Sequence, residues 1–250
     1  GRGWGCQEGA YSIIPVPQGG PLPPTHKGCH VPMSLWVRIG AGSTGQHTGN
    51  RSHTRGEGRL RTAHLDGAHV DRVVPLNLLQ CDAPAARHLV AATVLAIFRK
   101  QYADHWGPRM QHVFINALLA AVEVPGATLL TVQRMLVDAR FRAEVAARAS
   151  DPLVRDFWLR EFARMPAAFA AEVVAPVQNK VGAALVSPVL RAMFSSTRSA
   201  FSFRDVVDRG AIFVARLPKG QMGEDASAFL GATLVAGFQL AAYSRADVAE

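Results

Sequence analysis

A change in composition near Val70 constrains what this chain can fold into. Residues 1–70 hold 14 of the 22 glycines, 6 of the 15 prolines and 6 of the 9 histidines. Apolar runs are brief there, because glycine and proline interrupt both helices and strands. We therefore expect residues 1–71 to be a low-complexity segment, poorly ordered or translated out of frame, and regular structure to begin at residues 72–73.

The remainder is rich enough in apolar residues to form a packed core. Over the whole chain 49% of residues are hydrophobic and 18% are charged, which excludes wholesale disorder. Three scattered cysteines predict a reducing compartment and exclude a disulfide framework. We expect no transmembrane or signal segment, since no apolar run approaches about 18 residues. A cytoplasmic protein is the expectation, with partners able to hold it at the inner face of the membrane.

Apolar residues recur at spacings of three and four between residues 85 and 200, which predicts a succession of helices. Expected helix starts are Asp82 with Pro84, Gly107 with Pro108, and Asp151 with Pro152. Thr131 and Asp138 are predicted N-caps. These helices make up a predicted all-helical domain over residues 72–200. Pro176 and Pro188 are expected to kink or divide its last helical stretch. The residues predicted to face the core include Leu89, Val90, Val94, Ile97, Phe98, Met110, Val113, Phe114, Ala117, Leu118, Ala121, Trp106, Val154, Phe157, Trp158 and Phe162.

The pattern changes after Ser199. The apolar run at residues 211–215 predicts a buried strand that is apolar on both faces, as in parallel α/β sheets. Residues 226–243 are apolar almost all round, which predicts an interior helix. One strand and one helix cannot complete a sheet. The predicted fold class is therefore mostly α with a partial α/β portion over residues 201–250.

From Arg72 onward the chain resembles the ATPases of conjugative DNA transfer and type IV secretion, which belong to the HerA/FtsK-like P-loop superfamily. The resemblance lies in the order and spacing of short segments. They are VPLNLL (74–79), WGPR (106–109), NALL (116–119), residues 151–161 around Phe157 and Trp158, residues 176–180 ending in Asn179 and Lys180, residues 201–208, LPKG (217–220), GED (223–225) and LG (230–231).

The resemblance implies an all-helical domain inserted into a RecA-like core, here an incomplete motor core. It implies a ring-forming homo-oligomer that uses ATP and Mg to move DNA, with secretion or conjugation machinery as partners. The family's phosphate loop would lie before Val73, and its acidic Mg-site strand would follow Glu250. No bound cofactor is therefore expected for this chain. Because these nucleotide motifs are missing from it, the chain alone is expected to be inactive, and its class as an ATP hydrolase rests on the resemblance only and is left open.

Candidate sites in the first segment do not match their chemistry. The glycines Gly40 and Gly45 have phosphate-loop spacing, but Gln46 and His47 stand where Lys and Ser or Thr should be. Without that ammonium and hydroxyl, phosphates and Mg lack their ligands. A zinc site from Cys6, His26, Cys29 and His30 fits no common spacing. We predict neither a catalytic residue nor a metal site there.

The loop after the predicted strand is the candidate nucleotide-proximal site. Lys219, Glu224 and Asp225 lie between a strand and a helix, where α/β proteins place functional loops. Capping of the helix dipole by Glu224 and Asp225 is the competing interpretation. One arginine could reach the γ phosphate bound by a neighbouring subunit, in trans. The sequence does not choose among four candidates, which are Arg191, Arg198, Arg204 and Arg209.

Two functions remain. The first is a fragment of an ATP-driven DNA translocase of the conjugation and secretion type, with its net charge of +8 suited to a phosphate-rich partner. The alternative is a non-enzymatic helical interaction or adaptor module. The composition and spacing of this chain alone do not decide between them.

Overall fold

A computed structural model describes residues 34–37, 62–68 and 73–247. The fold is mostly helical, with a small three-stranded sheet. The strands are β1 (Ser34–Val37), β2 (Thr62–Asp66) and β3 (Ile212–Arg216), in the spatial order β1-β3-β2. β1 pairs antiparallel with β3, whereas β2 pairs parallel with it. Because parallel strands need a crossover connection, the helical residues between β2 and β3 form one very long crossover.

β2 lies within the segment that the sequence analysis assigned to low complexity. Its residues 63–66 alternate between the two faces, so that Leu65 is fully buried beside its parallel neighbour Ala215 while His64 is exposed. This two-residue period is enough for a half-buried strand. The rest of residues 1–71, apart from 34–37 and 62–68, lies outside the described residues.

β3 differs in detail from its prediction. The strand covers residues 212–216 rather than 211–215, and only Phe213 and Ala215 are buried, with half-buried residues between them. The predicted strand is therefore present, but it is buried on one face and half-buried on the other. One face packs under the Phe238 ring, whose centroid lies 5.2 Å from that of Phe213.

The main helices follow the predicted succession closely. They are α1 (Arg87–Gln101), α2 (Pro108–Ala121), α3 (Leu129–Val137), α4 (Ala139–Arg148), α5 (Pro152–Asp156), α6 (Ala167–Val186), α7 (Pro188–Phe194), α8 (Phe203–Asp208), α9 (Lys219–Met222) and α10 (Glu224–Tyr243). A π-helical turn, Phe157–Glu161, continues α5.

Prolines begin three of these helices, as expected of a residue that needs no N–H partner in the first turn. Pro108, Pro152 and Pro188 each occupy the start of a helix. At Pro188 the chain bends by 105° between α6 and α7. Pro176, in contrast, lies inside α6 and does not divide it.

One hydrophobic core contains residues of both the helical tract and the segment after Ser199. Every predicted inward residue of α2 is buried, and so are the α1 positions except Leu89, which is 41% exposed. The ring of Phe98 on α1 lies 5.0 Å from those of Phe114 on α2 and Phe229 on α10. These edge-to-face contacts hold α10 against the helical tract.

The start of α3 corrects one predicted cap. Thr128, not Thr131, is the N-cap, and the two residues form a capping box. The Leu130 N–H donates to Thr128 Oγ1 at 3.2 Å, and the Thr128 N–H donates to Thr131 Oγ1 at 3.1 Å. Asp138 is confirmed as the N-cap of α4, where its Oδ1 accepts from the Phe141 N–H at 2.9 Å.

Thr128→Ala should lower the free energy of unfolding by about 1 kcal/mol, because a helix donor loses its acceptor. Thr128 is 5% exposed, so water does not readily replace the lost partner. Urea unfolding followed by circular dichroism measures the change. Thr128→Ser keeps the hydroxyl and is the matched control. An equal loss in both variants would show that the methyl group, rather than the cap, supplies the stability.

α10 is the helix of the described residues that is long and apolar enough to cross a membrane, and α6 with α7 passes the same test only as a bent pair. A core helix also passes this test. In the structure 39% of the 18-residue apolar stretch of α10 is buried, and Phe229 and Leu230 are packed in the core. The expectation of no transmembrane segment stays a prediction.

Candidate functional site

The carboxyl ends of β2 and β3 form the edge where open α/β sheets bind ligands. Asp66 and Arg216 are register partners there. Arg216 Nη1 lies 3.0 Å from Asp66 Oδ2, and both side chains are more than a third exposed. The Ala68 N–H donates to the other oxygen, Asp66 Oδ1, at 2.9 Å. The ion pair thus joins the two strand ends, and the Ala68 hydrogen bond forms a local turn at the end of β2.

The chain leaves this edge in close contact with α9. The Gly67 N–H donates to the Arg216 carbonyl at 3.0 Å and extends the strand pairing by one residue. A Cβ added to Gly67 would lie 2.6 Å from Met222 Sδ. Only glycine therefore lets the end of β2 lie this close to α9 without displacing the methionine.

The structure brings two of the three predicted site residues together. Lys219 Nζ lies 2.6 Å from Glu224 Oε1 across the turn between α9 and α10. Gly223, with φ of 85°, makes that turn in a conformation that other residues rarely adopt. The hydrogen bond and charge of Lys219 lower the pKa of the exposed Glu224 carboxyl. Glu224 and Asp225 both lie in the first turn of α10, where negative charge complements the helix dipole.

Asp225 acts on a different residue. Burial raises the pKa of the Tyr102 phenol, and the charge of Asp225 raises it further. The Tyr102 hydroxyl donates to the Lys180 carbonyl at 3.3 Å, while Lys180 Nζ lies 5.6 Å from the Tyr102 ring centroid. The N-terminus of α10, the end of α1 and the middle of α6 therefore meet around Tyr102.

The charges at this edge are largely neutralised in pairs. Arg216 has Asp66 as its partner and Lys219 has Glu224, so neither cation of this described edge is free of a carboxylate. Such exposed pairs contribute little to stability. The arrangement can cap α10 and hold the strand ends together, as the capping interpretation expects.

The four candidate trans-acting arginines fall into two groups. Arg204 pairs with Asp208 at 3.2 Å within α8, and Arg209, directly after that helix, pairs with Asp205 at 3.3 Å. Arg191 and Arg198 are exposed and form no ion pair within the described residues. Arg191 and Arg198 are therefore the candidates that could reach another molecule without first breaking an ion pair.

The first-segment candidates cannot be placed. The phosphate-loop-like glycines with Gln46 and His47, and the proposed zinc set of Cys6, His26, Cys29 and His30, lie outside the described residues. Among residues 34–37, 62–68 and 73–247, no three His, Cys, Asp or Glu side chains are grouped so as to hold a metal ion.

Sequence reasoning missed Asp66, Arg216 and Tyr102. A charged residue directly after the alternating Ala63, His64 and Leu65 was the available signal for a strand end at Asp66. Arg216 likewise follows the apolar run that predicted β3. Asp66 and Arg216 lie close together because β2 pairs with β3. The two residues are 150 positions apart in the sequence, so no local pattern predicts their contact.

Comparisons of the chain with protein-family models, with curated proteins and with solved structures found no match. The family named in the sequence analysis therefore remains a proposal.

Lys219→Met should return the pKa of Glu224 toward the ordinary value of about 4.3, because the donor and its charge are lost. Since the pairing lowers the folded-state pKa, the stability it provides is present at neutral pH. That contribution disappears as the pH falls through the folded pKa. A ¹³C NMR titration of the Glu224 carboxyl measures the shift. Lys219→Arg should keep the pKa low, and an unchanged pKa in Lys219→Met would contradict the pairing.

Proposed function

We propose that the chain is part of an ATP-driven DNA translocase of the conjugation and secretion type. Residues 72–200 would be its helical domain, and residues 201–250 part of a RecA-like motor core. The observation that carries the proposal is the parallel pairing of β2 with β3, with the whole helical tract inserted between them. The resembled family places its all-helical domain between the phosphate-binding strand, loop and helix and the rest of a RecA-like sheet.

The position of the quoted segments adds support. LPKG and GED lie at the carboxyl edge of this parallel pair, where nucleotides bind in open α/β folds. The segment VPLNLL is tied to the tract end, since the Leu76 N–H donates to the Met193 carbonyl at 3.0 Å. Asn77 Nδ2 donates to the carbonyls of Ala127 and Thr197, both at 2.9 Å. These hydrogen bonds hold segment 74–79 against other parts of the helical domain.

In the intact protein, ATP with Mg would be the fuel, DNA the moving partner and a ring of identical subunits the working unit. The cytoplasm, or the inner face of the membrane through partners, would be its location. Lysine and arginine release condensed counterions when they bind phosphates, so the surplus of positive charge suits DNA.

This chain alone should not bind ATP measurably. Its strand-edge cations already have carboxylate partners, and exchanging those partners for phosphate gains little. A filter-binding assay with radiolabelled ATP and Mg should therefore show no saturation up to millimolar concentrations. Saturable binding would contradict this expectation and would place a nucleotide site within the chain itself.

The translocase proposal itself is tested on the product of the complete gene, including the coding sequence on both sides of this chain. Duplex DNA should stimulate its ATP hydrolysis, and replacing the phosphate-loop lysine found upstream should abolish the activity. A complete gene with neither a phosphate loop nor an acidic Mg strand would overturn the proposal. Comparing the hydrolysis rate with and without duplex DNA separates a DNA motor from an ATPase that acts on other partners.

The alternative, a helical interaction module, has its own supporting observation. Large apolar side chains on the helical tract face solvent, among them Val137 at 68%, Leu153 at 78% and Val186 at 72% exposure. A gene without nucleotide motifs, together with retention of a partner through these residues, would favour the adaptor function.

A further inference from the structure

One stretch of the helical tract is basic and contains no acid. Residues 173–204, which run from α6 through α7 to the start of α8, contain four basic residues and no Asp or Glu. Among these four, Arg191 and Arg198 are exposed and form no ion pair within the described residues. Arg191 is on α7 and Arg198 follows the end of that short helix, so both side chains can reach one short ligand.

Contacts with the start of α3 fix the position of the chain around Arg198. Asn77 Nδ2 donates to the carbonyls of both Ala127 and Thr197, at 2.9 Å each. A Cβ added to Gly126 would lie 3.3 Å from two atoms of Thr197. The connection between α2 and α3 is therefore held beside the residue that precedes Arg198.

Exposed apolar side chains lie near both arginines. Val186, the last residue of α6, is 72% exposed, and Pro188 begins α7 at the surface. At the start of α3, Leu130 is 42% exposed. We call the surface that carries Leu130, Val186, Pro188, Arg191 and Arg198 the α6–α7 corner. It combines positive charge with apolar side chains that are open to solvent.

The carboxylates of the neighbouring described segments do not neutralise the α6–α7 corner. Glu123, after α2, is paired with Arg87 at 3.4 Å. Asp138, after α3, is paired with Arg134 at 3.3 Å. Asp82 is exposed before α1 and forms no ion pair within the part of the chain that the structure describes. The positive charge of the corner is therefore complementary to an acidic partner.

The apolar residues of the corner favour a protein partner over a nucleic acid. Phosphate groups would pair with the arginines but would leave Val186 and Leu130 in water. Single-stranded nucleic acids bind by stacking their bases on aromatic rings, and Phe194, the aromatic residue between the two arginines in sequence, is buried. A peptide with an apolar side chain between carboxylates matches both the charge and the apolar surface.

We propose that the α6–α7 corner binds an acidic segment of a partner protein, with carboxylates on Arg191 and Arg198 and an apolar side chain against Val186. The site uses none of the strand-edge residues, so it does not rest on the translocase function proposed above. In a translocase it would bring an acidic partner to the helical domain, and in an adaptor it would be the docking surface itself.

A labelled peptide in which two leucines lie between two pairs of glutamates is the probe. Fluorescence anisotropy measures its binding to the full chain, and amide NMR shifts locate the site. The peptide should bind with submillimolar affinity that falls as salt is added, since exposed charge pairs are screened. Shifts should be confined to Leu130 and residues 186–198. Exchanging the glutamates for glutamine, or the leucines for serine, should weaken binding by about threefold or more.

The charge contribution is tested on the protein by Arg191→Gln combined with Arg198→Gln. The peptide should bind this variant about three- to tenfold more weakly, as expected for two lost exposed charge pairs. Arg148→Gln combined with Arg164→Gln is the matched control. Both of its arginines are exposed, and neither forms an ion pair within the described residues. The control removes the same charge and should change the affinity by less than about twofold.

The apolar contribution is tested by Val186→Ser. Binding should again weaken about three- to tenfold, since the apolar contact is lost. Leu153→Ser, at a 78% exposed leucine of α5, is the control and should leave the affinity unchanged. Thermal unfolding followed by circular dichroism checks that each variant keeps its fold.

Absence of peptide binding up to millimolar concentration would overturn the proposal. An equal loss in the two arginine pairs would do the same, because it would show a general attraction between a basic chain and an acidic peptide. A duplex oligonucleotide is titrated in parallel. If it bound through Arg191 and Arg198 while the peptide did not bind, the corner would be a nucleic-acid contact instead. None of these outcomes bears on DNA-stimulated ATP hydrolysis by the complete gene product.

Discussion

Trp158→Ala is expected to lower the free energy of unfolding by about 3–5 kcal/mol, the usual range for removing a buried tryptophan. Trp158 is 2% exposed and lies in the π-helical turn that continues α5. Its ring centroid is 4.8 Å from that of Phe157 and 4.9 Å from that of Phe162. Its Nε1 also donates to the Asn116 carbonyl at 3.2 Å. Alanine would remove both the aromatic packing and the link to α2.

Leu153→Ala is the control for this variant, since Leu153 is on α5 but is 78% exposed. Its stability should change by less than about 0.5 kcal/mol. Urea unfolding of both variants, monitored by circular dichroism at 222 nm, gives the comparison. A loss of under about 1 kcal/mol in Trp158→Ala would mean that the cluster around it is not a packed core.

Gly237→Ala is expected to destabilise the chain by about 1–3 kcal/mol, although alanine is the better helix former. The added Cβ would lie 2.5 Å from two atoms of the Phe203 ring, so the ring must move. Phe203 contacts Phe201 and Phe238, and its displacement would disturb the packing above β3.

Gly182→Ala provides the opposite sign. Gly182 is inside α6, and its added Cβ would meet Gln133 Nε2 at 3.5 Å, an ordinary contact. That substitution should stabilise the chain by about 0.5–1 kcal/mol, the helix preference of alanine over glycine. The midpoints of thermal unfolding should therefore move in opposite directions. Stabilisation by Gly237→Ala would show that the Phe203 ring is free to swing aside.

The helical part of the fold could be predicted because its signals are local. Pro108, Pro152 and Pro188 begin helices where their fixed φ angle and missing N–H are tolerated, and the apolar spacing of α2 selects its buried face. The predicted N-cap Thr131 lies three residues after the true N-cap of α3, Thr128. The capping box of this helix has a threonine at both positions, so the sequence did not distinguish them. Leu89 was predicted to be buried but is 41% exposed, because it borders a cavity between α1 and α10.

The sheet could be predicted only in part. The apolar run at residues 211–215 indicated β3, but β2 was hidden in a glycine-rich segment and has only five residues. Its pairing depends on Leu65 meeting Ala215, which a linear pattern does not encode. The same limit applies to the site. Lys219 and Glu224 are five positions apart and were predicted to share a loop, whereas Asp66 and Arg216 are 150 positions apart.

The distance between β2 and β3 along the chain also sets an order of events during translation. At about 5–20 residues per second, the ribosome would finish the second strand roughly 8–30 seconds after the first. Helices form and pack within microseconds to milliseconds, so the intervening tract would already be assembled by then. During that interval the backbone donors and acceptors of β2 would have no partner strand. Because β1 also pairs with β3, residues 34–37 and 62–66 would both stay open throughout this interval to a chaperone that holds extended segments.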